Sequence, residues 1–200
     1  MCSAPYNTTN YHPNSTIAVD SSKNKAYTIR EANPADISQI TEIYAHYVNF
    51  DLCTFEEIAP TIDEMLKRYT DITEQKLPYI VATTDNDMIL GYAYAVPHRT
   101  RSAYRFTVED SIYVSPSALR LGIGYALLRE LIKLCTLLGH RQMVAVIADC
   151  GKQNSIQLHE RLGFKRAGLL SSVGYKKQRW INTILMQVAL GNGDKTSPNS

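Results

Sequence analysis

Two glycines stand directly before a run of leucines, in a position that suits the binding of an anion. Gly122 and Gly124 follow Arg120. The apolar residues after them recur at helical spacing, which predicts the buried face of a helix formed by Leu127, Leu128, Leu131, Leu134, Cys135 and Leu138. The first turn of a helix has unpaired N–H groups and a partial positive charge, and glycine lets a phosphate approach the backbone closely. The pattern indicates a pyrophosphate-binding loop, although two glycines can equally serve only a tight turn.

The residues around these glycines exclude two common phosphate loops. A Walker loop requires Gly-Lys-Ser/Thr, whereas Tyr125 follows Gly124. A Rossmann loop requires Gly-x-Gly-x-x-Gly after a first strand, and this loop lies in the middle of the chain.

One carboxylate lies in an apolar and aromatic segment upstream of the loop. The segment from Tyr104 to Val114 is predicted to be extended, and it contains Glu109. A carboxylate there is unfavourable unless a cleft solvates it or it has a chemical task, such as that of a general base. The alternation of a strand also allows a plain exposed glutamate beside Asp110.

Other side chains with chemical potential lie on both sides of this segment. His159 belongs to a short predicted helix from Ser155 to Leu162, where it is either a proton carrier or a half-buried helix histidine. Arg99 and Arg101 precede the extended segment, and a guanidinium suits bidentate binding of an acid group. Arginines on a loop are also commonly just solvated.

The elements that must position these residues alternate between strands and helices. Asn33-Pro34 and Thr61 are typical helix starts, and Gly139 predicts the end of the helix that begins at the glycine loop. The predicted strands are Tyr27–Arg30, Tyr79–Thr83, Met88–Val96, Tyr104–Val114, Met143–Ala148, Lys165–Val173 and Trp180–Leu190. Met143–Ala148 is apolar throughout, which predicts burial on both faces. The order predicts an α+β, α/β-like fold with helices on both faces of a mixed sheet.

Composition restricts the class of protein. The 200 residues carry 21 Lys+Arg against 19 Asp+Glu, a formal net charge of +2, which gives no electrostatic reason to expect nucleic acid or an anionic membrane as a partner. The four cysteines show no metal-ligand spacing, so no metal is expected. Without an apolar leader or a membrane span, the chain is expected to be cytoplasmic. We expect one domain at 27–190, a disordered tail at 1–26 and a flexible tail at 191–200.

Four motifs in unbroken order resemble one enzyme family. Val114-Ser115-Pro116, followed by Arg120-x-Gly122-x-Gly124, resembles the acyl-CoA loop of the GCN5-related N-acetyltransferase (GNAT) superfamily. The remaining three resemble its phosphinothricin acetyltransferase branch, and they are Tyr104-x-x-Thr107-Val108-Glu109-x-Ser111-x-Tyr113-Val114, Ser155-Ile156-x-Leu158-His159-Glu160-x-Leu162-Gly163-Phe164 and Gly174-Tyr175-Lys176-x-x-x-Trp180.

The resemblance implies a fold and an activity. The expected GNAT fold has a central, mostly antiparallel sheet that splays between two adjacent strands. The expected reaction moves an acetyl group from acetyl-CoA to the amine of a small molecule such as phosphinothricin, methionine sulfoximine or methionine sulfone, and relatives are often homodimers. Acetylation of a protein amino group and a non-catalytic acyl-CoA-binding module remain the alternatives.

The resemblance also assigns roles to residues. Glu109 becomes the general base, His159 the general acid or proton shuttle, and Tyr113 a second hydroxyl beside the leaving sulfur, unless Tyr113 is a core tyrosine. The N–H of Val114 would polarise the thioester oxygen. The expected acetyl-CoA contacts are Ile112, Tyr113, Val114, Arg120, Leu121, Gly122, Ile123, Gly124, Tyr125 and Asn154.

For the acceptor, Arg101 is favoured over Arg99 as the residue that binds the acid group. Phe55 and Trp180 would wall the substrate pocket or simply pack in the core.

Three positions depart from the family pattern. Leu119 stands where a polar residue is common, and Asn182 replaces a common Asp. Lys152 replaces an Asn that faces CoA, so either Lys152 or Asn154 would meet the cofactor.

Overall fold

A computed structural model describes residues 27–151 and 153–198 of the chain. Its strands are β1 (Thr28–Glu31), β2 (Tyr79–Thr83), β3 (Ile89–Pro97), β4 (Thr107–Val114), β5 (Gln142–Asp149), β6 (Lys165–Lys176) and β7 (Arg179–Ala189). Its helices are α1 (Ile37–Phe50), α2 (Ile62–Glu74), α3 (Ile123–Leu137) and α4 (Asn154–Arg161). The predicted tail at 1–26 and Lys152 lie outside the described residues.

Helix boundaries follow local capping chemistry. The Asn33 side chain accepts a hydrogen bond from the Ala35 N–H (2.9 Å), and the Asp36 carboxylate accepts one from the Asn33 N–H (2.8 Å). This capping box opens the turn that leads into α1. Thr61 caps α2 by accepting from the Glu64 N–H (3.2 Å). Both predicted helix starts are therefore confirmed.

The strands form one sheet with the order β1-β2-β3-β4-β5-β7-β6. The β4–β5 pair is parallel, and every other neighbouring pair of these strands is antiparallel. The predicted mixed, mostly antiparallel sheet is confirmed.

Helices cover the two faces of the sheet unequally. The main sheet contacts of α1 are with β3 and β4, and those of α2 are with β2; we call this side the α1 face. On the opposite side, the α3 face, α3 contributes Leu127, Leu128 and Leu131, each with no exposed surface. Cys135 is equally buried there, as predicted.

Three local predictions are wrong. β4 begins at Thr107 rather than Tyr104, because Ser102–Tyr104 forms a 3₁₀ turn. β5 is not buried on both faces, since Val146 is 40% exposed on the face where β5 lies beyond the main contacts of α1 and α2. Leu138, expected on the buried side of α3, lies past its end and is exposed.

The chain after β7 stays in contact with the domain as far as it is described. Arg141 donates hydrogen bonds to the Thr196 hydroxyl (3.0 Å) and the Ser197 carbonyl (2.8 Å). The flexibility of 191–200 stays a prediction. Among residues 27–151 and 153–198, no helix combines the length and the apolar character that a bilayer crossing requires.

Candidate active site

The centre of the sheet contains an opening between β4 and β5. The two strands pair only from Thr107 with Gln142 to Asp110 with Ala145. Beyond Asp110 they diverge, so the second half of β4 has its pairing with β3 alone. The predicted splay is therefore present, and it begins one residue after Glu109.

Divergence leaves backbone groups of β4 free on the side of the opening. The Ser115 N–H donates to the Leu90 carbonyl on the β3 side (2.8 Å). Because hydrogen-bonding directions alternate along an antiparallel strand, the N–H groups of Val114 and Ile112 point the other way, toward the opening. The predicted oxyanion donor, the Val114 N–H, is thus directed at the space between the strands.

Tyrosines from α1 support this end of β4. The Tyr47 hydroxyl donates a hydrogen bond to the Val114 carbonyl, a contact that sequence reasoning missed. The Tyr113 ring lies edge-on to Tyr44 (centroids 5.0 Å apart) and stacks on Tyr92 (5.4 Å). Burial raises the pKa of Tyr113 well above its usual value. Tyr113 therefore belongs to an aromatic column on the α1 face, which is the environment of a core tyrosine.

The glycine loop after β4 has the shape that an anion site needs. Gly122 adopts a left-handed backbone (φ 79°) at the N-cap of α3, and the space a Cβ would enter there is open. Arg120 is also left-handed (φ 67°). A Cβ on Gly124 would lie 3.3 Å from Leu158 and 3.5 Å from Val114, so this glycine permits close packing of α3, α4 and β4. The N-cap residue Gly122 has no side chain that could cap the first N–H groups of α3, so within the described residues these groups are available to a diphosphate.

The other predicted acetyl-CoA contacts surround this loop or begin α4. Leu121 is exposed, Ile123 is buried, and the Tyr125 ring lies 5.0 Å from the Arg161 guanidinium. Asn154 is the first residue of α4 and is exposed. Since Lys152 is outside the described residues, the choice between Lys152 and Asn154 stays open.

Glu109 lies beside the opening on the α1 face. It pairs with Val96 across β3 and β4, and its carboxylate oxygen Oε2 lies 3.4 Å from Nδ1 of His98. Burial raises the pKa of Glu109 and the charge of Asp110 adds to this, although His98 and Arg99 lower it. A carboxylate with a raised pKa beside a cleft is suited to accepting a proton. His98 was missed because only the register of β3 and β4 brings it to Glu109.

His159 lies on the other face of the same strand. Neighbouring strand residues point to opposite faces, so Asp110 points toward α4, where its Oδ2 lies 3.0 Å from His159 Nε2. The opposite ring nitrogen lies 2.7 Å from the Ser155 carbonyl. Both partners are acceptors, so the arrangement favours a doubly protonated ring.

The pKa of His159 agrees with that protonation state. Burial alone would lower the pKa, but the hydrogen bond and charge of Asp110 outweigh it, and the pKa is raised. The residue is 3% exposed. His159 is therefore a buried cation at the vertex of the splay rather than a freely accessible imidazole.

The two arginines line a cavity of about 620 Å³ at the start of β4. Lys76, Arg105 and His140 are among the other residues around it, whereas Glu109 is not. The charge of Arg99 contributes to lowering the pKa of Glu109. The preference for Arg101 over Arg99 as the acid-binding residue stays a prediction.

Phe55 and Trp180 do not lie together. The Phe55 ring occupies the space beside Gly174, where a Cβ would lie 2.1 Å from a ring carbon. Trp180 pairs with Tyr175, which points to the opposite face from Gly174. Within one chain, the two aromatic side chains therefore lie on opposite faces of the β6–β7 hairpin, and their role as pocket walls stays a prediction. Asn182, the replaced Asp, accepts a hydrogen bond from the Ser172 N–H (2.9 Å) and holds an irregular part of β6.

Comparison with known proteins agrees with this geometry. Residues 29–185 match the family described as acetyltransferase (GNAT) domain. The chain is 46% identical to a phosphinothricin N-acetyltransferase of Alcaligenes faecalis, over 86% of this chain and 87% of that protein. It is 35% identical to an L-methionine sulfoximine/L-methionine sulfone acetyltransferase of Salmonella typhimurium, over 82% and 94%.

A solved structure shows the same fold. The GNAT superfamily phosphinothricin acetyltransferase of Sinorhizobium meliloti, crystallised in complex with acetyl-CoA, superposes with a TM-score of 0.83 at 48% identity, covering 86% of this chain and 93% of that one. The chain belongs to the GNAT family. It is an N-acetyltransferase, and its acetyl donor is acetyl-CoA. The open amides of α3 and the room above Gly122 fit the diphosphate of that donor.

Proposed function

We propose that this enzyme acetylates the amino group of a small amino acid analogue that carries a second acidic or strongly polar group, of the phosphinothricin, methionine sulfoximine or methionine sulfone type. The names of the relatives supply the substrate class. The structural observation that carries the proposal is the carboxylate of Glu109, half-buried beside the opening with the cation Arg99 nearby.

In this proposal the chain performs three tasks. Glu109 removes the proton from the amine, directly or through a water molecule, because only the neutral amine is nucleophilic. The Val114 N–H stabilises the charge that develops on the carbonyl oxygen. Acetyl-CoA supplies the activated thioester.

His159 has its place near the leaving sulfur. The sequence suggested a general acid, but both of its N–H groups already have acceptors. We therefore assign His159⁺ to electrostatic stabilisation at the vertex of the splay, with proton delivery as the alternative. Tyr113 is assigned to packing under β4, with hydroxyl participation as the alternative.

The two competing functions have less support. Acetylation of a protein amine predicts an open acidic groove, whereas the cavity beside Arg99 and Arg101 is basic. A module without turnover predicts loss of the base, and Glu109 is present.

The direct test is thiol release from acetyl-CoA with a panel of amines. We expect turnover with phosphinothricin, methionine sulfoximine or methionine sulfone, and little with the same amino acids carrying an esterified carboxylate. A peptide that outcompetes every amino acid would transfer the proposal to protein acetylation. Tight acetyl-CoA binding without any turnover would favour the module.

Cellular location and assembly are part of the same proposal. Cys135 and Cys150 form no disulfide within residues 27–151 and 153–198, as is usual in a reducing cytoplasm. Val146 on β5 and Leu170 on β6 are exposed apolar side chains, which supports the prediction of a homodimer. Light scattering of the purified enzyme would measure its oligomeric state.

A further inference from the structure

A lysine is buried at the end of β6, in the motif that the proposed function leaves without a role. Lys176 is 2% exposed, and its Nζ donates a hydrogen bond to the Thr54 carbonyl (2.9 Å). Burial lowers the pKa of Lys176, and the charge of Lys177 lowers it further. Burying an ammonium group is unfavourable unless it is hydrogen-bonded. The hydrogen bond to Thr54 offsets part of this cost, and it connects β6 to a loop far away in the sequence.

The loop that Lys176 contacts connects α1 to α2, and side-chain hydrogen bonds hold it at Thr54 and Glu56. The Tyr44 hydroxyl donates to the Glu56 carboxylate (2.9 Å), so the Thr54 hydroxyl donates to the Tyr44 oxygen (3.0 Å). Arg68 binds the same Glu56 carboxylate (2.6 Å).

Phe55 lies between these two tethered residues. Its ring lies against the backbone of Gly174, two residues before Lys176 on the same strand, and it is 40% exposed. Gly174 and Lys176 point to the same face of β6 because strand side chains alternate. Strand β6 therefore contacts the loop at two adjacent residues, since Lys176 bonds to Thr54 and Gly174 packs against Phe55.

We propose that Lys176 is a positioning residue that fixes the α1–α2 loop, and with it the Phe55 ring, as one wall of the acceptor pocket. This inference rests on the proposed function for the pocket itself. Lys176 touches neither donor nor acceptor in this assignment, and it acts through Thr54.

The first test compares Lys176→Met with Lys165→Met. Methionine keeps the length of the side chain and removes the ammonium, and Lys165 is an exposed lysine on the same strand. We expect Lys176→Met to raise the KM for the acceptor about tenfold or more, because small misplacements of a binding wall weaken substrate positioning. The Kd for acetyl-CoA should stay within twofold, and Lys165→Met should change neither constant.

A second pair of variants tests the contact between β6 and the loop without changing a charged residue. Gly174→Ala places a methyl group where the Phe55 ring now lies, whereas the Cβ of Gly168→Ala meets only Leu185 at 3.8 Å. We expect the same rise in acceptor KM for Gly174→Ala and none for Gly168→Ala. This pair keeps the test available if Lys176→Met does not fold.

Amide hydrogen exchange separates this inference from the proposed function. In both loop variants, exchange should accelerate at residues 52–57 and stay unchanged in α3. An enzyme that acetylates none of the panel amines would overturn the proposed function. Accelerated exchange at residues 52–57 would still support the positioning role of Lys176. Unchanged exchange at residues 52–57, or an unchanged acceptor KM in an active enzyme, would overturn the positioning role of Lys176.

Discussion

Glu109 combines two properties that are rarely found together in a surface carboxylate. It is partly desolvated, which raises its pKa, and it keeps two neighbours, His98 and Arg99, that oppose the rise. A carboxylate with a raised pKa is a stronger base than an ordinary glutamate.

Removal of the carboxylate tests this role. Glu109→Gln keeps the shape of the side chain but cannot accept a proton, so kcat should fall about 10²–10⁴-fold. The Kd for acetyl-CoA should be unchanged, as measured by calorimetry. Near-full activity of this variant at pH 7 would make Glu109 an ordinary strand residue.

His98 offers a finer test of the same site. Since His98 lowers the pKa of Glu109, His98→Gln should raise that pKa further. The acid limb of the kcat/KM profile should move to higher pH, with the plateau reached later. His46→Gln, on α1 and away from Glu109, is the control. An acid limb that does not move would show that His98 does not affect the pKa of Glu109.

The buried pair of His159 and Asp110 should make stability depend on pH. The pKa of His159 is raised above its unfolded value of about 6.5, so the folded state binds the proton more tightly. The pair stabilises fully below about pH 6.5, and this contribution disappears as the pH rises through the folded pKa.

Urea unfolding measures the effect. Between pH 6 and pH 9 the free energy of unfolding should fall more for the wild type than for His159→Gln or Asp110→Asn. Equal pH dependence in all three proteins would contradict a charged, paired His159.

At the scale of elements, α3 carries a left-handed glycine at each end. Gly122 (φ 79°) and Gly139 (φ 84°) both have open space where a Cβ would be, so alanine at either position introduces the same backbone strain of about 1 kcal/mol. Only Gly122 lies at the proposed diphosphate site.

This symmetry gives a matched experiment. At acetyl-CoA a hundredfold above its Kd, the wild type should gain about 2.7 kcal/mol of stability. Gly122→Ala should lose much of this gain, whereas Gly139→Ala should keep it, as read by thermal shift. Equal gains in both variants would remove the glycine loop from the donor site.

The elements that sequence predicts best are those whose signals are local. Asn33, Thr61 and Gly139 act on the residues beside them, and the helix boundaries follow. The apolar run of β5 looks the same whether one face is covered or two, so the exposure of Val146 could not be predicted.

In the candidate site, too, the residues with local signals could be predicted from the sequence, and the contacts between distant segments could not. Glu109 and Gly122 are recognisable by residue type and position. The contacts of His98, Tyr47 and Lys176 join segments far apart in the chain, and strand register or loop packing alone brings them to their partners. Residue type does not tell which face of a hairpin a side chain occupies, so the sequence could not predict that Trp180 and Phe55 lie on opposite faces of the β6–β7 hairpin.

At the scale of the whole molecule, the two halves of the site lie on opposite faces of the sheet. The loop at Gly122 leads into α3, whereas Glu109 points to the α1 face. In the proposed function, donor and acceptor therefore bind at the same time and meet through the opening between β4 and β5.

Steady-state kinetics should reflect this arrangement. We expect intersecting double-reciprocal plots for acetyl-CoA and acceptor, as for a sequential mechanism, and no acetylated protein when acetyl-CoA is supplied alone. Parallel plots, or a stable acetyl group on Cys53, Cys135 or Cys150, would contradict direct transfer.

The opening also restricts how the enzyme could be inhibited. A single molecule that imitates donor and acceptor at once has to thread between the diverging ends of β4 and β5. Its linker must be slender and unbranched where it passes Val114, since the backbone of β4 forms one rim. Bulk belongs only at its two ends, and a ligand assembled inside the protein from two fragments would avoid the threading altogether.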